Sequence, residues 1–133
     1  MPSSKTDLAR AAFDAFNKRD LEAALRVMDP AVEFHAPTSE LANEGHAYLG
    51  HDGMSKYYDD VGRVWQQLDV MPAEFREVGD HVLAFGRVYG RGPGGYVQDS
   101  PAQWVFTVRE DLIVCVKVFT NRSAALAEVG LAE

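Results

Sequence analysis

The hydrophobic periodicity of this chain changes once, near its middle, and that change restricts the architectures open to it. Ahead of Val70 the apolar residues recur three and four apart, as on helices; beyond it they alternate, as on strands. In the first half Leu8, Ala12, Phe13 and Phe16 share a helical face, with Ser4 and Asp7 as its capping pair. Asp20 is placed as the N-cap of a second, short helix bearing Leu21, Ala24, Leu25 and Met28. Asp29-Pro30 is expected to stop that helix, because proline cannot continue a helix interior. A brief strand, Ala31 to His35, is expected to end at Pro37, and residues 36–50, with Pro, Ser, Asn and two glycines, read as a surface loop. A third helix is predicted from about His51-Asp52, carrying Met54, Tyr57, Tyr58, Val61, Val64, Trp65 and Leu68.

The second half predicts strands. Val70 to Val78 alternates loosely, and Gly79-Asp80 is a turn signal. From His81 to Gly90, Leu83, Phe85 and Tyr89 take one face and Val82, Ala84 and Val88 the other. The glycines and proline of Arg91 to Gly95 suit a loop, and Tyr96 to Val108 predicts a strand with a bulge or edge position at Pro101. Glu110-Asp111 forms a two-residue connection to Leu112 to Phe119, whose nearly continuous apolar run predicts burial of both faces. A closing helix from Arg122 to Glu128 is expected, capped by Asn121 and ended by Gly130. Helices followed by an antiparallel meander make an α+β pattern. A twisted sheet of this kind curls over helices on its concave face, which predicts a cone with an apolar small-molecule pocket at its open end.

Charge and cysteine content narrow the partners. Thirteen basic against twenty acidic residues give a net charge of −7, which argues against nucleic acid and anionic membrane as partners. The single cysteine, Cys115, forms no internal bridge, and no stretch reads as a signal peptide or membrane span, so a cytoplasmic single domain over residues 1–133 is expected. The strands 81–90 and 112–119 carry apolar residues on both faces; one face lies outside the cone, which predicts a homodimer through it.

Several segments carry a family resemblance. Phe13 to Leu25 with Asp29 to His35, Gly50-His51-Asp52-Gly53-Met54, Phe75 to Asp80 and Val118 to Leu126 closing on Gly130-Leu131 resemble the NTF2-like superfamily, specifically its SnoaL-like branch. The resemblance covers nearly the whole chain in order. It implies an α+β cone with N-terminal helices on a curved antiparallel sheet. The superfamily spans isomerases, cyclases, hydrolases, dehydratases and non-enzymatic binders, so fold alone does not choose among them.

Matching to the ketosteroid isomerases puts their helix tyrosine at Phe13, their late-strand acid at or beside Trp104, their catalytic base at His35 and a supporting tyrosine at Tyr58. Phe13 has no hydroxyl, and an indole is not a carboxylic acid, so steroid isomerisation is not expected. In the cyclases the acid/base aspartate matches Asn121, an amide that cannot shuttle protons and that suits a helix N-cap. Glu33 and His35 remain as a catalytic pair, two apart on a strand and therefore on one face. Alternation allows that face to be either inside or outside; the match of His35 to a pocket-facing base favours inside.

Phe13, Phe16, Tyr58 and Trp104 are the expected ligand-binding residues, the last two offering a ring with one polar handle. His35, His46 and His51 show no compact ligand spacing, Cys115 lies in the most apolar strand, and Gly90 to Gly95 lacks the features of a phosphate loop, so no metal or cofactor is expected. The expected partner is a small apolar or polycyclic molecule. Three readings stay open: an enzyme with His35 as acid/base, a non-catalytic binder using the same pocket, and a dimeric interaction protein with a collapsed pocket.

Overall fold

The computed structural model describes residues 4–36 and 43–131. Helix α1 spans Lys5–Asn17; the Ser4 side chain accepts from the Asp7 amide at 3.1 Å, satisfying one of the first-turn donors. Helix α2, Leu21–Arg26, is capped in the same way by Asp20, which accepts from the Ala23 amide at 3.1 Å. It ends before the expected stop. Met28 belongs to strand β1, Met28–His35, and Asp29-Pro30 acts on that strand instead. The Asp29 carboxylate accepts from the Ala31 amide at 2.8 Å, a local turn that competes with strand pairing. The register of β1 against its neighbour consequently slips between Met28 and Glu33.

Of the loop expected over residues 36–50, residues 37–42 lie outside the described residues, and its last part forms a two-residue strand β2, Tyr48–Leu49. Helix α3, Gly50–Val64, buries Met54, Tyr57 and Val61 on one face. It stops short of Trp65 and Leu68, which are nonetheless buried, Leu68 as part of strand β3, Gln67–Val78. Strands β4, His81–Arg91, β5, Val97–Arg109, and β6, Leu112–Phe119, complete a six-stranded sheet in the order β2-β1-β6-β5-β4-β3. All neighbours are antiparallel except β1 and β6, which run parallel. Helix α4, Arg122–Glu128, is capped by Asn121, and Gly130, at φ 80°, gives the left-handed turn that ends it.

The sheet bends at two irregularities. Ala73 is an extra residue in β3 between the pairs Pro72–Gly86 and Glu74–Phe85, and Val114 is an extra residue in β6 opposite Thr107–Val108. At the first bend a Cβ on Gly86 would lie 2.2 Å from the Met71 carbonyl oxygen, so only glycine admits the close backbone. Of the bulge or edge position expected at Pro101, the structure has the edge: Pro101 pairs with Arg87 without a bulge. It sits two residues beyond Gln103, the last β5 residue paired to β6, so one of its edges is free and the missing N–H breaks no ladder there.

The two faces of the sheet have separate cores. Val82, Ala84, Trp104, Phe106, Ile113 and Val116 pack inward on the helices. Leu83, Phe85 and Val105 face outward, where Ala125 and Leu126 of α4 bury them, and the Arg122 guanidinium lies 4.0 Å from the Phe85 ring. The part of the outer apolar face made by Leu83, Phe85 and Val105 is therefore covered by the chain's own last helix, while Met71 and Val97 stay exposed. Strand β6 is also less buried than its composition implied: Ile113 and Val116 are buried, while Cys115, Lys117 and Phe119 are half-buried on the outer face. The edge of β3 is closed by Asn17, whose carboxamide donates to Val70 O at 2.8 Å and accepts from Val70 N at 3.0 Å. No helix among the described residues is long and apolar enough to cross a membrane.

Candidate functional site

The concave side of the sheet holds a chamber walled by rings. It is lined by Ala12, Phe13, Phe16, Met28, Phe34, Met54, Tyr57, Tyr58, Val70, Trp104, Phe106 and Val116. Phe13 and Phe16 reach it because they follow Leu8 and Ala12 on the buried stripe of α1. Phe13 stands edge-on to Trp104 at 4.9 Å between centroids and to Phe106 at 5.3 Å; Phe16 stacks on Tyr57 at 5.7 Å and meets Tyr58 edge-on at the same distance. Such contacts contribute about 0.5–1.5 kcal/mol each beyond area burial.

The chamber encloses only about 40 Å³. A second, of about 50 Å³, lies against it and is lined in part by Trp65, Gln98, Ser100 and Thr120. Tyr57, Val70 and Trp104 belong to both walls and form the partition between them. An apolar cavity that accepts benzene measures ~150 Å³, so neither chamber holds a six-membered ring as it stands. The rings that were expected to surround an open pocket largely fill it.

Glu33 and His35 do not face this chamber. Val32 is fully buried and Phe34 stacks on Tyr57 at 4.5 Å, which turns the alternate residues of β1 to the outer face of the sheet. Glu33 Oε1 and His35 Nε2 do meet, at 3.2 Å, with their side chains 55% and 42% exposed. The inward orientation expected from the family match is thus corrected: a bulky aromatic at Phe34 gains more from the core than a carboxylate and an imidazole would.

The chamber's polar atoms are phenol and indole groups. Burial, offset in part by the Arg19 guanidinium, pushes the Tyr58 hydroxyl up to about 12, and burial raises Tyr57 further. Both are therefore protonated near neutrality and serve as hydrogen-bond donors, not bases. Trp65 Nε1, at the second chamber, is buried with no hydrogen-bond partner among the described residues.

One charged group lies deep in the fold without having been anticipated. Asp60 on α3 is 1% exposed and accepts from the Tyr48 hydroxyl and the Lys56 ammonium, each at 2.8 Å, and from the Arg63 guanidinium. Burial acts to raise its pKa, but these donors outweigh it and hold the carboxyl below its usual range. Lys56 and Asp60 stand four apart and Asp60 and Arg63 three apart, a signal present in the sequence. Two other histidines have local roles: His51 Nε2 lies 3.0 Å from Met28 O, and His81 Nδ1 lies 3.1 Å from Thr107 Oγ1.

With this geometry the comparisons with known proteins agree. The family model for the SnoaL-like domain matches residues 9–116. The chain belongs to the SnoaL-like domain family. Within the NTF2-like superfamily, this SnoaL-like chain is similar to TerC, crystallised with polyporic acid, at 26% identity and TM-score 0.78, with 93% of this chain and 95% of TerC covered. A protein from Catenulispora acidiphila with a ketosteroid isomerase-like fold, in complex with trimethylamine, superposes at TM-score 0.74 and 17% identity, covering 96% and 95% of the two chains. A proposed polyketide cyclase from Sinorhizobium meliloti superposes at TM-score 0.71 and 20% identity, covering 90% and 95%. No curated protein sequence matches the chain. At these lower identities the likeness establishes the α+β cone and no particular chemistry.

Proposed function

We propose that this SnoaL-like chain acts as a single domain that binds a small, flat, largely apolar molecule between α1, α3 and the concave sheet, without using Glu33 or His35 on it. The observation that carries this reading is the makeup of the inner wall. Among its twelve residues none brings a carboxylate or an imidazole, and its phenols are too weakly acidic to act as bases near neutrality. Such a wall offers stacking surfaces and a few hydrogen-bond donors, the usual composition of a binding site. The similarity to TerC supports a small-molecule role, and polyporic acid is accordingly a reasonable first probe.

Binding requires the partition to move. Two chambers of about 40 and 50 Å³ become useful to a ring only when Tyr57 or Trp104 turns aside and joins them. The ligand's apolar area must then repay the broken ring contacts.

The test is a titration of the purified chain with polyporic acid, read by the combined fluorescence of Trp65 and Trp104 and checked against Ala12→Leu. Ala12 lines the inner chamber, and the added carbons would occupy it. Saturable quenching that weakens at least tenfold in Ala12→Leu, in a variant with a normal unfolding curve, supports the reading; equal quenching in both rejects it. Small molecules released on denaturing the purified protein, identified by mass spectrometry, extend the search beyond one probe.

The small chamber volumes also favour a second reading, an interaction protein whose interior is simply filled. It would use the mixed outer strip of β1 and β6, and assembly as a homodimer would be its mark. Light scattering that shows a dimer, combined with no small-molecule binding, would support it over the first.

A further inference from the structure

The outer face of β1 and β6 carries a group of side chains that the binding reading leaves unused. In the parallel register Glu33 pairs with Cys115 and His35 with Lys117, so residues remote in sequence become neighbours on one surface. The carboxylate oxygen of Glu33, a ring nitrogen of His35 and the sulfur of Cys115 all lie within 4.8 Å of one another. These are three different metal-ligating groups on two hydrogen-bonded strands, which hold their backbones in fixed relation. The histidine spacing in the sequence gave no hint of it, because the third ligand comes from across the sheet.

The geometry points to a site for one divalent transition-metal ion of the zinc class, held by Glu33, His35 and Cys115 with a fourth position open to water. Zinc takes nitrogen at about 2.0–2.1 Å, carboxylate oxygen at about 2.0–2.2 Å and thiolate at about 2.3 Å. A tetrahedral arrangement therefore separates its ligand atoms by roughly 3.3–3.7 Å. Glu33 Oε1 and His35 Nε2 already stand 3.2 Å apart, and the sulfur needs to approach by at most about 1.5 Å, within reach of side-chain rotation. The donor set selects the metal class: a thiolate and an imidazole disfavour magnesium and calcium, which take oxygen ligands.

Charge is compatible with an ion here. One carboxylate and one thiolate neutralise a 2+ ion, and the nearby Lys117 ammonium is engaged by Glu128 Oε2 on α4 at 2.8 Å. The net charge of −7 also favours cations over anions near the surface. Binding exchanges the thiol proton for the metal: Cys115–SH plus M²⁺ gives Cys115–S–M⁺ plus H⁺, with no change of oxidation state. The half-exposed position makes this an accessible, exchangeable site; the apolar interior is not involved.

Cobalt(II) titration of the reduced, chelator-treated full chain tests this. One equivalent should produce a near-ultraviolet thiolate-to-cobalt charge-transfer band that added zinc then removes. Cys115→Ser should abolish the band, and His35→Ala and Glu33→Gln should each weaken zinc binding by at least about tenfold. Zinc should raise the Tm of the parent chain and not that of His35→Ala, which also shows that the variant is folded. Absence of the band from the parent chain overturns the proposal. So does zinc affinity that is unchanged in both Cys115→Ser and Glu33→Gln, since binding then resides on scattered histidines such as His46.

Discussion

Replacing Asp60 by Asn is expected to destabilise the fold by roughly 2–3 kcal/mol near neutral pH and by much less in acid. Its carboxylate accepts from Tyr48, Lys56 and Arg63 at a site that is 1% exposed. Lys56 and Arg63 are 49% and 66% exposed, so water takes up their charges when the carboxylate is removed, and their share of the loss is small. Tyr48 is different. Its hydroxyl is buried with Asp60, and an asparagine there offers it one neutral carbonyl oxygen in place of a charged acceptor, while the NH2 group turns towards the Lys56 and Arg63 donors. A hydrogen bond to a charged group is worth about 1.5–3 kcal/mol, which sets the estimate. For a chain of this length that is about 7–10 °C in Tm. The sign of the pH dependence follows from the depressed folded-state pKa. The folded state binds fewer protons than the unfolded one, so the contribution is complete above about pH 4 and disappears as pH falls through the folded value. Urea unfolding followed by tryptophan fluorescence, in the parent and Asp60→Asn at several pH values, measures this. A neutral-pH difference under about 0.5 kcal/mol, or one that persists undiminished in strong acid, would refute the reasoning.

Other substitutions probe how the cone is held. Asn17→Ala removes both hydrogen bonds to Val70 and should cost about 1–2 kcal/mol in chemical denaturation, with amide exchange along β3 accelerating first. Gly86→Ala drives a methyl group into the backbone of Met71 and Pro72 and should cost roughly 2–4 kcal/mol or prevent soluble expression; a normal unfolding midpoint would show that the bend does not need glycine. Glu110 and Asp111 have φ of 52° and 63°, the left-handed pair of a type I′ hairpin, so Glu110→Asn with Asp111→Gly should stabilise by roughly 0.5–1 kcal/mol, read as a rise in Tm.

The parts of this structure that the sequence predicts well are those decided within a few residues. Ser4, Asp20 and Asn121 each have a short oxygen-bearing side chain ahead of an amphipathic run, and each accepts a first-turn amide as expected. The split of β4 into inward Val82 and Ala84 and outward Leu83 and Phe85 follows from a period of two, a property of the strand itself. Met28 marks the limit of local reasoning. Its spacing from Leu25 suits a helix, but pairing with Ile113, a residue 85 positions away, makes it a strand.

The inward face of β1 is not decided by its own residues. Period-two alternation states that Glu33 and His35 share a face; it does not state which face, and the answer comes from Tyr57, a residue on another element. The outer apolar patch presents the same difficulty. Leu83, Phe85 and Val105 require a cover, and nothing in their own strands distinguishes a second molecule from the helix that begins at Arg122. A family match supplies a position, while chemistry at that position depends on which way the chain presents it. Phe34 decides this here: by taking the inner face it leaves an aromatic chamber without a base, and it places Glu33 and His35 on the outer face beside Cys115 and Lys117.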